Sequence, residues 1–242
     1  MNKIALSAAA LVLLAGAAGA ETLRMGTEGA YPPYNFINDS GEVDGYEREL
    51  GDIICERAGV ECTWITNDWD SIIPNLVSGN YDTIMAGMSI TEEREEVIAF
   101  TQNYIPPIAS AYVALSDDVD PATAIVAAQT GTIQAGHVSE TGATLLEYAT
   151  LDETIAAVRN GEADAVLADK DVLTPHVEES AGELVFVGDD VALGEGIGIG
   201  LRQSDTELRE RLDTVIGELK ADGTINELIR KWLGEDAKTY ED

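Results

Sequence analysis

The sequence predicts an α/β protein built as two similar lobes, and three observations carry that expectation. Short apolar runs alternate with segments of helical periodicity along the chain, the pattern of strands and helices in one fold. One helix–turn–strand unit occurs twice, starting at Asp70 and again at Asp152. The 242 residues are 45% apolar, 24% charged and 6% aromatic, enough for a real core in one large domain or two small ones. Disordered, collagen-like and coiled-coil classes are excluded by the same fractions.

The elements follow in order. Lys3, the apolar run of residues 4–15 and Ala18-Gly19-Ala20 form a secretory signal peptide over residues 1–20, cleaved after Ala20. The run is too short to span a bilayer and no comparable one follows, so no membrane insertion is expected. No cysteine at the cleavage point suggests a lipoprotein. Residues 23–27 read as a strand, Tyr31-Pro32-Pro33-Tyr34 as the loop leaving it, and Ser40-Gly41 as a turn. Over 46–58, Leu50, Ile53, Ile54 and Ala58 make a helix stripe that ends at Gly59. A strand over 62–66, a helix over 70–78 stopped by Gly79, and a buried strand over 83–88 complete the first set. Residues 125–128 begin the second.

The repeat is a matter of spacing. Asp70, Gly79 and Asp82 superpose on Asp152, Gly161 and Asp164, spaced nine and then three positions apart in both copies. Each copy reads as a helix, a glycine stop, a turn and an apolar strand. In open α/β sheets ligands bind beyond the carboxyl ends of the strands. Here those ends are Glu28, Gly87-Met88-Ser89, Gln129 to Thr132, and Asp169, and facing lobes bring them to one cleft.

Charge narrows the function. Fourteen Lys+Arg against 45 Asp+Glu give −31, which repels phosphate backbones and excludes a nucleic-acid partner. Without Lys3 the mature chain keeps 13 of the 14 basic residues against 45 acidic, a net −32. The excess suits a solvated surface in high salt, or alternatively draws in cationic solutes; its even spread favours the first reading. Only His137 and His176 and two cysteines are present, so a His/Cys metal site is not expected. In an exported chain Cys55 and Cys62 most simply form one local disulfide, while a redox-active pair normally has C-x-x-C spacing. Gly194-Glu-Gly-Ile-Gly-Ile-Gly200 fails the G-x-G-x-x-G spacing and reads as a flexible strand crossing between lobes. With no P-loop and no G-x-S-x-G, neither a cofactor nor serine-hydrolase chemistry is indicated.

The strand ends suggest a ligand. Ser89 or Thr91 can cap a helix that holds Glu92 and Glu93 in its first turn. Arg94 is unfavourable there unless an anion binds beside it; a surface pairing with Glu93 or Glu96 is the alternative. Thr132 opens a helix in the second lobe and leaves N–H donors for the same anion. Asp169 suits an ammonium, or is a turn residue. An anion site and a carboxylate together match the two charged ends of an α-amino acid. Tyr31 and Trp69 can clamp a side-chain stem, or be loop cover and core, and Glu28 at the far end favours a basic side chain.

Taken together these residues resemble a known family. Gly26-Thr-Glu-Gly-Ala-Tyr-Pro-Pro-Tyr34, Val43-Asp-Gly-Tyr46, Asp68-Trp-Asp70, Ile73-Pro74 with Leu76, and Met88-Ser-Ile-Thr91 with Arg94 carry the likeness. So do Gln129-Thr-Gly-Thr132, Gly161-Glu-Ala-Asp-Ala165, Gly198-Ile-Gly-Leu-Arg202 and Asp222-Gly-Thr-Ile225. The chain is similar to the periplasmic solute-binding proteins of polar and basic amino-acid ABC importers, above all the lysine/arginine/ornithine-, histidine- and opine-binding proteins.

The resemblance implies a periplasmic-binding-protein fold in which two hinge strands join the lobes, near 108–112 and 198–202. Lobe one is then 21–107 plus 203–242 and lobe two 112–197. It further implies a periplasmic monomer that closes on an amino acid and is read by a membrane permease. Cys55 and Cys62 match a disulfide of the basic amino-acid binders. Arg94 grips the α-carboxylate with the N–H groups of Thr132 and Ile133. Ser89, the Gly87 carbonyl and Asp169 take the α-amino group, Tyr31 and Trp69 flank the side chain, and Glu28 meets its distal cation. Ala86 and Gly87 stand where the lysine/arginine/ornithine binders tend to carry serines, which removes hydroxyls, adds room and resembles the opine binders. A cyclohexadienyl-dehydratase-like enzyme on the same fold is the alternative, with Asp169 or Glu28 protonating a leaving hydroxyl.

Overall fold

The computed structural model describes residues 21–240, so the expected signal peptide lies outside the described residues. The chain starts with β1 (Thr22–Thr27) and a small antiparallel ribbon of β2 (Ala30–Tyr31), β3 (Asn35–Ile37) and β4 (Val43–Asp44). Helix α1 (Tyr46–Ala58) occupies the expected residues, buries Leu50 and Ile54, and stops at Gly59, whose φ of 69° is left-handed. Then come β5 (Glu61–Thr66), α2 (Trp69–Val77), β6 (Thr83–Ile84), the single turn α3 (Glu92–Glu95) and β7 (Ala99–Ile105). The Cys55–Cys62 disulfide joins the end of α1 to β5.

The next stretch runs β8 (Ala109–Ala114), β9 (Ile125–Gln129), α4 (Ile133–Ser139), β10 (Thr144–Tyr148), α5 (Leu151–Arg159), β11 (Ala165–Asp169), α6 (Lys170–Glu179) and β12 (Val185–Ala192). Strand β13 (Ile197–Leu201) and helices α7 (Thr206–Ala221) and α8 (Thr224–Leu233) end the chain. None of the described helices is long and apolar enough to cross a membrane.

Two five-stranded sheets result, ordered β5-β1-β6-β13-β7 and β10-β9-β11-β8-β12. In each, three parallel strands are followed by two antiparallel neighbours, so the sheets match strand for strand. The repeat in the sequence has a structural cause. Asp82 Oδ2 accepts the backbone N–H of Arg24 at 3.0 Å, and Asp164 Oδ2 accepts that of Ile125 at 2.8 Å. Each aspartate returns its own N–H to the same residue's carbonyl. A carboxylate at this turn thus ties the first residues of a parallel neighbour strand in both lobes.

Three expectations differ from the structure. The strand expected over 83–88 keeps ladder geometry only at Thr83–Ile84, because Gly87, at φ 61°, turns the chain away. Residues 197–201 form a buried sheet strand rather than a flexible crossing. Glycine is required there by close approach: a Cβ on Gly198 would lie 3.1 Å from the Thr101 carbonyl, and one on Gly196 2.5 Å from that of Ile105. Finally, the chain passes between the sheets at 106–108 and 193–196. Most of the expected crossings, 108–112 and 198–202, belongs to β8 and β13, which are hydrogen-bonded within their own sheets.

Candidate functional site

The ends of β1, β6, β9 and β11 converge on a cleft between the sheets. Glu28, Tyr31, Trp69, Ala86, Gly87, Ser89 and Arg94 line it from one side, and Gln129, Thr132, Ile133, Gln134 and Asp169 from the other. All ten residues singled out in the sequence are therefore brought together. Gln129 and Gln134 join them; Gln129 stood at a strand end that was read only for its backbone and the Thr132 cap, and Gln134 lies in the first turn of α4.

Arg94 is placed by α3, whose cap Thr91 accepts the Arg94 backbone N–H at 3.2 Å. The guanidinium donates through Nη1 to the Ser89 carbonyl at 2.8 Å and through Nη2 to the Gly131 carbonyl at 3.3 Å. It lies 5.3 Å from the Trp69 ring centroid. Among the described residues no carboxylate stands within ion-pair distance, so the pairing with Glu93 or Glu96 is not made. Burial pulls its pKa down to about 10, which leaves it protonated at neutral pH.

Asp169 ends β11 and is 5% exposed, so it is no surface turn residue. Its Oδ2 accepts the Tyr31 hydroxyl at 2.8 Å and its Oδ1 the Gln134 amide at 2.8 Å. Burial first, and then the charge of Asp171, raise its pKa to about 7. Glu28 lies just beyond β1, and its Oε1 accepts Gln129 Nε2 at 2.6 Å. Burial raises this carboxyl to about 7 as well; the Gln129 bond opposes the rise, while Glu47 and Asp68 add to it. Two carboxyls this desolvated are poised for a cation, whose charge would restore their ionisation.

Thr132 caps α4 by accepting the Ala135 N–H at 3.2 Å, as expected. Its own N–H is turned to the Gln129 carbonyl at 3.3 Å. Trp69 serves core and cleft together, packing on the cluster of Ile72, Leu76 and Tyr81. The room expected at Gly87 is already taken: a Cβ there would lie 3.1 Å from the Tyr31 ring. Tyr31 in turn stacks on Tyr34 at 6.1 Å, and the Tyr34 hydroxyl donates to Asp171, a second bond across the lobes.

Glu47 was not singled out by sequence reasoning, and it organises one wall. It is fully buried in α1, and its Oε1 accepts the Gly87 N–H at 2.6 Å and the Tyr104 hydroxyl. Oε2 accepts Asn35 Nδ2 at 2.7 Å, and Asn35 Oδ1 accepts the Gly29 N–H at 2.7 Å. One carboxylate thereby fixes the strand-end backbone at both Gly87 and Gly29. Its signal was available: Glu47 falls on the same helix face as Leu50 and Ile54, an acid on an apolar stripe.

Paired α/β lobes around a cleft that holds a guanidinium without a carboxylate partner, one buried carboxyl and one half-buried carboxyl define a solute-binding protein. The profile of the bacterial extracellular solute-binding proteins, family 3, matches residues 23–235, and the chain belongs to that family. It is 30% identical to the lysine/arginine/ornithine-binding periplasmic protein of Escherichia coli (strain K12), over 100% of both chains. It is 33% identical to the octopine-binding periplasmic protein of Rhizobium meliloti, covering 96% of this chain and 97% of that one. A crystal structure of a periplasmic His/Glu/Gln/Arg/opine family-binding protein from Silicibacter pomeroyi, in complex with lysine, is 71% identical. It covers 90% of this chain and 100% of that one, with a TM-score of 0.89.

Proposed function

We propose that this protein captures a basic α-amino acid, such as lysine, arginine, ornithine, histidine or an opine, and delivers it by lobe closure to the permease of an ABC importer. The observation that carries the reading is the opposition within one cleft of Arg94, bonded only to carbonyls, and the carboxyls of buried Asp169 and half-buried Glu28. An α-carboxylate fits the guanidinium and the backbone N–H groups around Thr132 and Ile133, with the Thr132 N–H exchanging its bond to the Gln129 carbonyl for the ligand. Asp169, Ser89 and the Gly87 carbonyl receive the α-ammonium. Tyr31 and Trp69 flank the stem, and Glu28 meets the distal cation. The lysine complex of the Silicibacter pomeroyi relative supports the basic side chain.

Residues 106–108 and 193–196, the two segments that connect the sheets among the described residues, serve as the hinges. The protein works in the periplasm as a monomer after cleavage at Ala20, and it acts by binding without a cofactor. A dehydratase role asks one carboxyl to protonate a leaving hydroxyl. Asp169 and Glu28, both raised to about 7, could donate such a proton, but each already accepts hydrogen bonds, Asp169 from Tyr31 and Gln134 and Glu28 from Gln129, and the basic-ligand reading uses both carboxyls as acceptors.

A thermal-shift panel of the common amino acids, ornithine, citrulline and opines tests the reading. A basic ligand at a hundred times its dissociation constant adds about 2.7 kcal/mol of stability, and Arg94→Ala abolishes every shift. Shifts by acidic or neutral amino acids alone would overturn the basic specificity.

A further inference from the structure

We propose that Gln129, from the opposite lobe, is a specificity-determining residue: on closure its amide holds the Glu28 carboxylate in place to meet the ligand's distal cation. The inference rests on the reading of Glu28 just given. Gln129 ends β9 and is 6% exposed. Its Nε2 donates twice, to Glu28 Oε1 at 2.6 Å and to the Ala149 carbonyl at 2.9 Å. Two acceptors fix the orientation of the amide, since its oxygen facing either one would be repelled. The Ala149 bond anchors the side chain in its own lobe, so the Glu28 bond is the one that forms when the lobes meet.

The repeat places the pair symmetrically. Arg24 and Ile125 are equivalent strand starts by their bonds to Asp82 and Asp164, which makes Glu28 and Gln129 equivalent strand ends. One lobe thus supplies the carboxylate and the other, at the same position, its amide partner. A buried carboxyl with one charge-assisted bond fewer takes up a proton more readily and loses its fixed direction. The other charged groups facing Glu28 are Glu47 in α1 and Asp68 before α2, both of which disfavour its ionisation. Arg94 and Asp169 stand elsewhere in the same cleft. No cation of the protein replaces Gln129 as its partner among the described residues.

The test is a double-mutant cycle in lysine binding, measured by calorimetry on wild type, Gln129→Leu, Glu28→Gln and the double variant across pH 5.5–8.5. Gln129→Leu should weaken lysine roughly tenfold or more. It should also move the pH at which lysine affinity is half lost upward, because Glu28 then protonates more easily. In the Glu28→Gln background the same substitution should change affinity less than threefold. Equal losses in both backgrounds with an unmoved pH midpoint would mean that Gln129 only supports the fold, and the inference fails. If Glu28→Gln itself leaves lysine binding intact, the role of Glu28 fails first, and the two failures are distinguishable.

Discussion

At the scale of single residues, the cleft places opposite charge types where the two ends of a zwitterion would lie, and burial sharpens both. Asp169 and Glu28 sit near 7 because they are desolvated, above the ordinary range of a carboxyl near 4. The folded protein therefore retains protons between about pH 4 and 7 that the unfolded chain releases. With the native state binding more protons, stability of the ligand-free protein rises as pH falls through that window and is lost as pH rises through 7. Lysine affinity runs the other way, since its ammonium groups need the ionised carboxyls. Denaturant midpoints and lysine titrations at pH 5.5 and 8 check both signs; parallel trends would contradict the assignment. Glu28, Gly87, Ser89, Thr132 and Asp169 were legible because strand ends can be counted, and Tyr31, Trp69 and Arg94 from their residue types beside those ends, whereas Ala86 and Ile133 came only from the family resemblance. Glu47 left a signal, an acid on an apolar helix stripe, but its partners and the roles of the two glutamine amides were not legible, since which side chain supports which wall depends on packing between distant elements.

At the scale of elements, α1, α2, α5 and the strands β1, β5, β9 and β11 followed from periodicity, glycine stops and the repeat, whereas β10, α6, α7 and α8 were not read and the strand expected over 83–88 ended early. Gly87 was behind the shortened strand, and the Gly194–Gly200 stretch behind the reading of a flexible segment where β13 lies. A glycine signals either freedom or close approach, and only the neighbouring Thr101, Ile105 and Tyr31 decide which. The repeat aspartates were legible in spacing, but their contacts with Arg24 and Ile125 required the register of the sheet. The disulfide belongs to this scale too. It closes a short loop between α1 and β5, so replacing both cysteines by serine should cost about 2–3 kcal/mol in chemical denaturation. Cleft residues lie elsewhere, so lysine affinity measured well below the unfolding midpoint should stay unchanged.

At the scale of the whole molecule, closure is held by bonds that cross between lobes: Tyr31 to Asp169, Tyr34 to Asp171, Gln129 to Glu28 and Arg94 to the Gly131 carbonyl. Tyr34 is fully buried and does not line the ligand cleft. Tyr34→Phe removes one closing bond without touching the ligand, so it should weaken all ligands by a similar factor, roughly 3–10-fold. X-ray scattering should then show a larger radius of gyration for the ligand-free variant. Selective loss for one ligand class would place Tyr34 in recognition instead. Two lobes were legible from the repeat alone, but the tyrosine–aspartate bonds between them join residues 137 and 138 positions apart and leave no local pattern. The central claim is that Arg94, Asp169 and Glu28 grip the three charges of a basic amino acid, and a crystal structure with lysine tests it most directly. The expected result is the α-carboxylate on Arg94, the α-ammonium on Asp169 and the side-chain ammonium within hydrogen-bonding distance of Glu28. A lysine seated with its side chain away from Glu28, or bound outside this cleft, would contradict the account.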